Sequence, residues 1–249
     1  MKTPRSLVAA LFGLAASILA LEARADTCPA PPDVPDVDRI AAIDAGRRLD
    51  YLAQAFDREV RDVDIWSWTW GSVYAGAVAV EGVALGLTTN YPKRIPLEVG
   101  IASTAFGAAS LYGLPLKLTL PLRSARAHWG DPDRCAVLAR AERTLVSVEK
   151  DQALATGILG HIGNVLVNVG IGLILGLGYD QWESAGISFG VGVAIGEANA
   201  FTQPHHLRDV LARYRSGQLD APAPAPSVTW SILPIRTREM SGAALTVVW

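Results

Sequence analysis

The sequence predicts an all-α membrane protein, with four glycine-rich transmembrane helices arranged as two hairpins, each preceded by an amphipathic helix, and a short C-terminal β-hairpin. Three observations predict it. The stretch Asp151 to Tyr179, DQALATGILGHIGNVLVNVGIGLILGLGY, holds no charge between its ends. At about 1.5 Å per residue it is long enough to cross a hydrocarbon core of about 30 Å. Across the 249 residues, half of them hydrophobic, charge gathers at 36–64, 123–151 and 205–220, and the intervening stretches are rich in Gly, Ala and Val. That is the pattern of a polytopic membrane protein with polar caps. Finally, Lys2 and Arg5 precede the apolar run Leu7 to Leu21, and Ala23-Arg24-Ala25 follows it, which supplies the three parts of a secretory signal.

Residues 1–25 therefore read as a signal peptide cleaved near Ala25, and residues 26–64 are exported whether or not cleavage occurs. Asp26 and Thr27 precede Cys28 where lipidation wants small or aliphatic residues, so a lipid anchor there is not expected. The prolines of 26–36 give an extended lead-in. From Asp36 to Asp64, Ile40, Ile43, Leu49, Leu52, Phe56 and Val60 fall at helical spacing among Arg and Asp, which predicts an amphipathic helix outside the hydrocarbon whose stripe needs a cover. Cys28 and Cys135 are the only cysteines. On one exported side they form one disulfide, with two unrelated thiols as the alternative.

The first transmembrane hairpin is read over 65–120. Trp66, Trp68 and Trp70 form an aromatic belt at its mouth. Asn90 to Arg94 makes its turn, Pro96 suits the first turn of the second helix, and Pro115 kinks that helix. Residues 121–151 read as a second exported amphipathic helix carrying Val137, Leu138, Leu145 and Val148, and 152–203 as the second hairpin. Residues 204–220 read as a surface helix, 221–226 as a Pro/Ala linker and 227–249 as the β-hairpin tail. Leu52, Ala53, Val60, Gly71 and Gly86 match Leu138, Ala139, Val146, Gly157 and Gly172 at one constant offset, so duplication and chance both stay open. With both termini exported, Lys93 and Arg94 face the cytoplasm and the chain sits in the inner membrane.

Polar groups inside spans are the default candidates for function because they are costly there. These are Glu81, His161, Asn164, Asn168 and Glu197. His161, Asn164 and Asn168 share one helical face, and His161 and Glu197 reach similar depths, about 10 Å below the exported end. A proton-sharing pair is then geometrically allowed, and a register-holding hydrogen-bond set is the favoured reading. Glu81 and Asn168 come to a similar depth nearer the cytoplasm. Gly82, Gly86, Gly160, Gly172, Gly176, Gly186, Gly190, Gly192 and Gly196 supply small faces for helix packing.

Gly186-Ile187-Ser188-Phe189-Gly190 spells the nucleophile-elbow pattern, but no strand precedes it and no His follows downstream of the candidate acids Asp209 and Asp220. Gly190 to Gly196 matches a nucleotide loop in spacing only, and His205-His206 lacks supporting metal ligands. Hence no catalytic residue, metal or cofactor is expected, and the net charge of -2 excludes a basic nucleic-acid binder. The glycine periodicity of the second hairpin resembles glycine-zipper membrane hairpins in composition, which implies close helix contact and no particular activity. Expected partners are the lipid bilayer and either further copies of the chain or other envelope proteins. The function read from these features is a structural or assembly subunit of a bacterial-type cell-envelope complex. A small transporter or channel subunit using the intramembrane His, Glu and Asn groups is the alternative, and an intramembrane enzyme comes third.

Overall fold

Asp44 starts the first long helix. Its carboxylate accepts from the Arg47 backbone N–H at 3.0 Å, satisfying an amide that the helix leaves without an internal partner. In the computed structural model, which describes residues 26–220, 229–236 and 241–248, helix α1 (Ala45–Leu87) then runs for 43 residues, or about 64 Å. A short turn through Asn90 leads into α2 (Tyr91–Ala127), with Pro92 in its first turn. The two lie antiparallel, since Arg126 meets Asp57, Arg123 meets Asp64 and Thr104 meets Glu81. Helix α3 (Arg134–Ala155) is capped by Asp133, which accepts from Ala136 at 2.9 Å. Beyond a break at Thr156 and Gly157 follow α4 (Ile158–Leu173), continued as a π-helical turn over Ile174–Gly178, then α5 (Trp182–Phe201) and α6 (Leu207–Ser216).

The elements divide into a cap and two hairpins. In the cap the first half of α1 buries Leu49, Leu52, Phe56 and Val63 against Leu118 and Leu122 of α2, Leu138, Leu145 and Val148 of α3, and Leu207 and Leu211 of α6. This is the cover that the amphipathic stripe requires. Cys28 and Cys135 form the expected disulfide, with Cα atoms 5.3 Å apart across 107 positions of sequence. At the centre of the cap, Arg48 donates to the Tyr214 hydroxyl at 3.2 Å, to the Cys28 carbonyl at 3.1 Å and to Glu142, which also accepts from Tyr214. Burial works against the guanidinium, but Tyr214 and Glu142 outweigh it and hold Arg48 firmly charged. Burial together with Glu142 pushes the Tyr214 phenol up, so it stays a neutral donor.

Outside the cap the packing inverts. Val80, Val83 and Leu87 of α1, Ile158, Leu159 and Leu166 of α4, and Ile187 and Val191 of α5 face outward. Helices α1 and α2 form one hairpin, and α4 and α5 the other. The hairpins meet where Ile95 packs against Leu175 and Ala185, and where Gln181 donates to the Pro92 carbonyl at 2.6 Å.

The expected four-span class is corrected on three points. Among the described residues two helices, α1 and the stretch from Ile158 to Gly178, are long and apolar enough to cross a membrane, not four. Helix α2 carries Lys93, Arg94, Glu98 and Lys117 with four prolines, and α5 carries Glu183, Glu197 and Asn199 among its glycines. Low charge and abundant glycine resemble a span in the sequence without the apolarity that crossing demands. Second, no separate amphipathic helix precedes the first hairpin, because α1 continues unbroken from cap to hairpin and α2 returns through Pro115 into the cap. Third, the body over 26–220 is helical throughout among the described residues, and the β-hairpin tail expected over 227–249 contributes no strand to it. Thr229–Arg236 and Ser241–Val248 pair only with each other, and such a ribbon alone is marginal in water. The signal peptide and the Pro/Ala linker lie outside the described residues.

A disulfide closing so long a loop restricts the unfolded chain by about 5 kcal/mol. Cys28→Ser with Cys135→Ser is therefore expected to lower cap stability by that order in urea denaturation. A loss below about 1 kcal/mol would mean that packing alone holds the cap.

Candidate functional site

Four of the five polar candidates converge on one seam. Helix α4 presents His161, Asn164 and Asn168 to α5 because the spacing i, i+3, i+7 keeps them on one face, and Glu197 of α5 projects to meet them. Glu197 Oε2 lies 2.5 Å from His161 Nδ1, and its Oε1 accepts from Asn164 Nδ2 at 2.8 Å. The same Asn164 nitrogen donates to the Val193 carbonyl at 3.2 Å. Asn168 Nδ2 in turn donates to the Asn164 carbonyl and side-chain oxygens, both at 2.9 Å. The result is a ladder about two turns long, running from an amide at the inner end to an imidazole near the cap.

Glycine makes the seam close enough. A Cβ on Gly192 would overlap the Asn168 amide, and one on Gly196 would overlap the Asn164 amide. Gly172 lies against Ala185 and Phe189, and Gly176 is covered by the Trp182 ring. The remaining small faces do other things. Gly160 packs on the Ala155 carbonyl of its own chain, whereas Gly82, Gly86, Gly186 and Gly190 face open space.

Glu81 stands apart from the ladder, in the other hairpin. It accepts from Thr104 Oγ1 at 3.2 Å and lies over Gly100, where a Cβ would come within 2.7 Å of its carboxylate. Its expected depth match with Asn168 brings no contact. Ser188 is on the interior of α5, and the elbow pattern around it is helical. Two indoles read as an outer belt point inward, since Trp66 Nε1 donates to the Asn199 carbonyl at 3.3 Å and Trp70 Nε1 to Thr202 at 2.9 Å. Only Trp68, 79% exposed, remains outward. Thr104 and Phe201 are partners that the sequence reading did not single out. A lone hydroxyl in the interior of a helix gives no signal, and the Phe201 ring lies 5.1 Å from the His161 ring.

Chemically the ladder has one basic and one acidic group. Glu197 fills both oxygens, while His161 and Glu197 keep about a quarter of their side-chain surface exposed. The amides beyond them donate and accept hydrogen bonds but do not carry protons onward, so the arrangement offers no relay past His161 and Glu197. No cluster of three metal-ligating side chains occurs among the described residues. Comparison with family models, with curated proteins and with solved structures finds no match for this chain.

Gly196→Ala and Gly192→Ala are expected to force the amides out of the seam and to cost about 1–3 kcal/mol each. Gly186→Ala and Gly190→Ala, which meet nothing, are expected to be neutral or to stabilise by up to about 1 kcal/mol through helix propensity. Thermal unfolding in one detergent separates the two pairs, and equal losses would deny the ladder its role in packing.

Proposed function

We propose that the protein is a membrane-anchored structural or assembly subunit of a cell-envelope complex, with its cap on the exported side as the partner-binding part. One observation carries this reading. The molecule joins a disulfide-closed cap with a conventional apolar core to helices whose apolar side chains face outward. The apolar window of α1 is 0% buried and that of the Ile158 to Gly178 stretch 11% buried. A core helix of a water-soluble protein would be mostly covered, so lipid is the natural surrounding for these faces. The disulfide supports an oxidising compartment for the cap, which is the exported side in this reading.

The structural role is supported by how the polar groups are used. His161, Asn164, Asn168 and Glu197 hydrogen-bond to one another, and Glu81 bonds to Thr104. Groups consumed in this way hold helices in register. The partly exposed His161–Glu197 pair favours a second reading, a subunit of a proton-coupled transporter, in which that pair takes up and releases one proton.

Alkaline carbonate extraction of membranes is expected to leave the protein in the membrane fraction, and release into the supernatant would sink the anchored reading. His161→Ala and Glu197→Ala, singly and together, separate structure from transport. A structural ladder predicts loss of the native assembly in mild detergent by both single variants, with a coupling of about 1 kcal/mol in the double-mutant cycle. Intact assembly in both would instead support the transport reading.

A further inference from the structure

The segments that join the cap to the hairpins meet at one side chain, Gln152, near the end of α3. Its Nε2 donates to Glu59 Oε1 of α1 at 2.6 Å and to the Pro204 carbonyl of the α5–α6 turn at 2.9 Å. Its Oε1 accepts from the backbone N–H of Leu207, the first residue of α6, at 3.1 Å. Its own carbonyl accepts from the Thr156 N–H and hydroxyl at the α3–α4 break, at 2.9 and 3.0 Å. A carboxamide has two donor hydrogens and one acceptor oxygen, and here all are engaged. Glu59 and Gln152 are each only 2% exposed.

Glu59 is therefore a carboxyl group enclosed among helices and held by a neutral amide. Burial raises its pKa to about 7, the Gln152 hydrogen bond opposes this, and Asp62 one turn along α1 adds to it. Across the junction the α5–α6 turn brings His206, which faces His205, Asp62, Arg58 and Asp209. Burial and His205 lower its pKa, so that imidazole is neutral at pH 7.

We propose that Glu59 and Gln152 form a proton-controlled latch between cap and hairpins: neutral Glu59 leaves the junction closed, and loss of its proton releases Gln152 from the α5–α6 turn. An ionised carboxylate is stabilised by water that the closed junction excludes. Opening hydrates it, at the expense of the three bonds through Gln152. The closed state binds the proton more tightly than the open one, so closure is fully favoured below the ordinary carboxyl range. It weakens about tenfold per pH unit up to pH 7 and changes little above that. His206 would act with the opposite sign, because a neutral buried imidazole opens the junction as the pH falls.

Amide hydrogen exchange of the full-length protein in detergent tests this at the Leu207 N–H, which closes onto Gln152. After correction for intrinsic rates, exchange there is expected to rise about 50- to 100-fold between pH 5 and pH 8, most of it complete by pH 7. Glu59→Gln is expected to abolish the pH dependence, and Asp62→Asn to shift its upper limit to lower pH. A flat profile in the unaltered protein overturns the latch, as does faster exchange towards acid, which belongs to His206. Retention of the rise in Glu59→Gln overturns it as well. Should Glu59→Gln fail to fold, the unaltered protein and Asp62→Asn decide the matter. Loss of the membrane anchor in the carbonate test leaves this outcome unaffected.

Discussion

A carboxylate between packed helices must have hydrogen-bond partners for both oxygens, from water or from the protein. Glu197 meets that constraint with both oxygens, one on His161 and one on Asn164. Much else follows from it. Asn164 reaches Glu197 only because Gly196 leaves room, and Asn168 backs Asn164 only because Gly192 does. Once these side chains engage, the sliding and rotation of α4 against α5 are fixed. The turn beyond then sits where Gln181 reaches the Pro92 carbonyl and Leu175 meets Ile95, so the second hairpin positions itself on the first.

The cap faces the same constraint and answers it with a crowded centre. Arg48, Glu142 and Tyr214 come from α1, α3 and α6, elements distant in sequence. A buried ionic group of this kind contributes less to net stability than to uniqueness of arrangement, because any other packing would strand the guanidinium. The disulfide acts on the other side of the equilibrium by limiting the unfolded chain. Surface pairs such as Arg143 with Asp33, 2.7 Å apart, and Arg126 with Asp57 are exposed and add little.

The sequence made the inward face of α4 legible. His161, Asn164 and Asn168 fall on one side by helical period alone, and depth counting placed Glu197 at the same level. The cysteine pair was legible from its small number, two cysteines each beside a polar segment. The membrane-crossing character of α2 and α5 was misread because glycine and alanine dilute charge without adding apolarity. The continuity of α1 through Asp64 and Ile65 was hidden because composition changes there while helix propensity does not. Glu59 and Gln152 were invisible for another reason. A lone Glu in a charged run and a lone Gln at a helix end look like solvated residues, and only the fold of α6 back across them makes them interior.

The unequal joining of the two hairpins to the cap gives the molecule a mechanical asymmetry. Helix α1 is one rod from Ala45 to Leu87, stiffened along its length by antiparallel α2, so a tilt imposed at its apolar end turns the cap with it. The second hairpin hangs from α3 through Thr156 and Gly157, where the helical hydrogen-bond run is interrupted. One hairpin thus prolongs a helix of the cap without interruption, whereas the other joins the cap across a break and is tied back to it by the Gln152 bonds to Pro204 and Leu207.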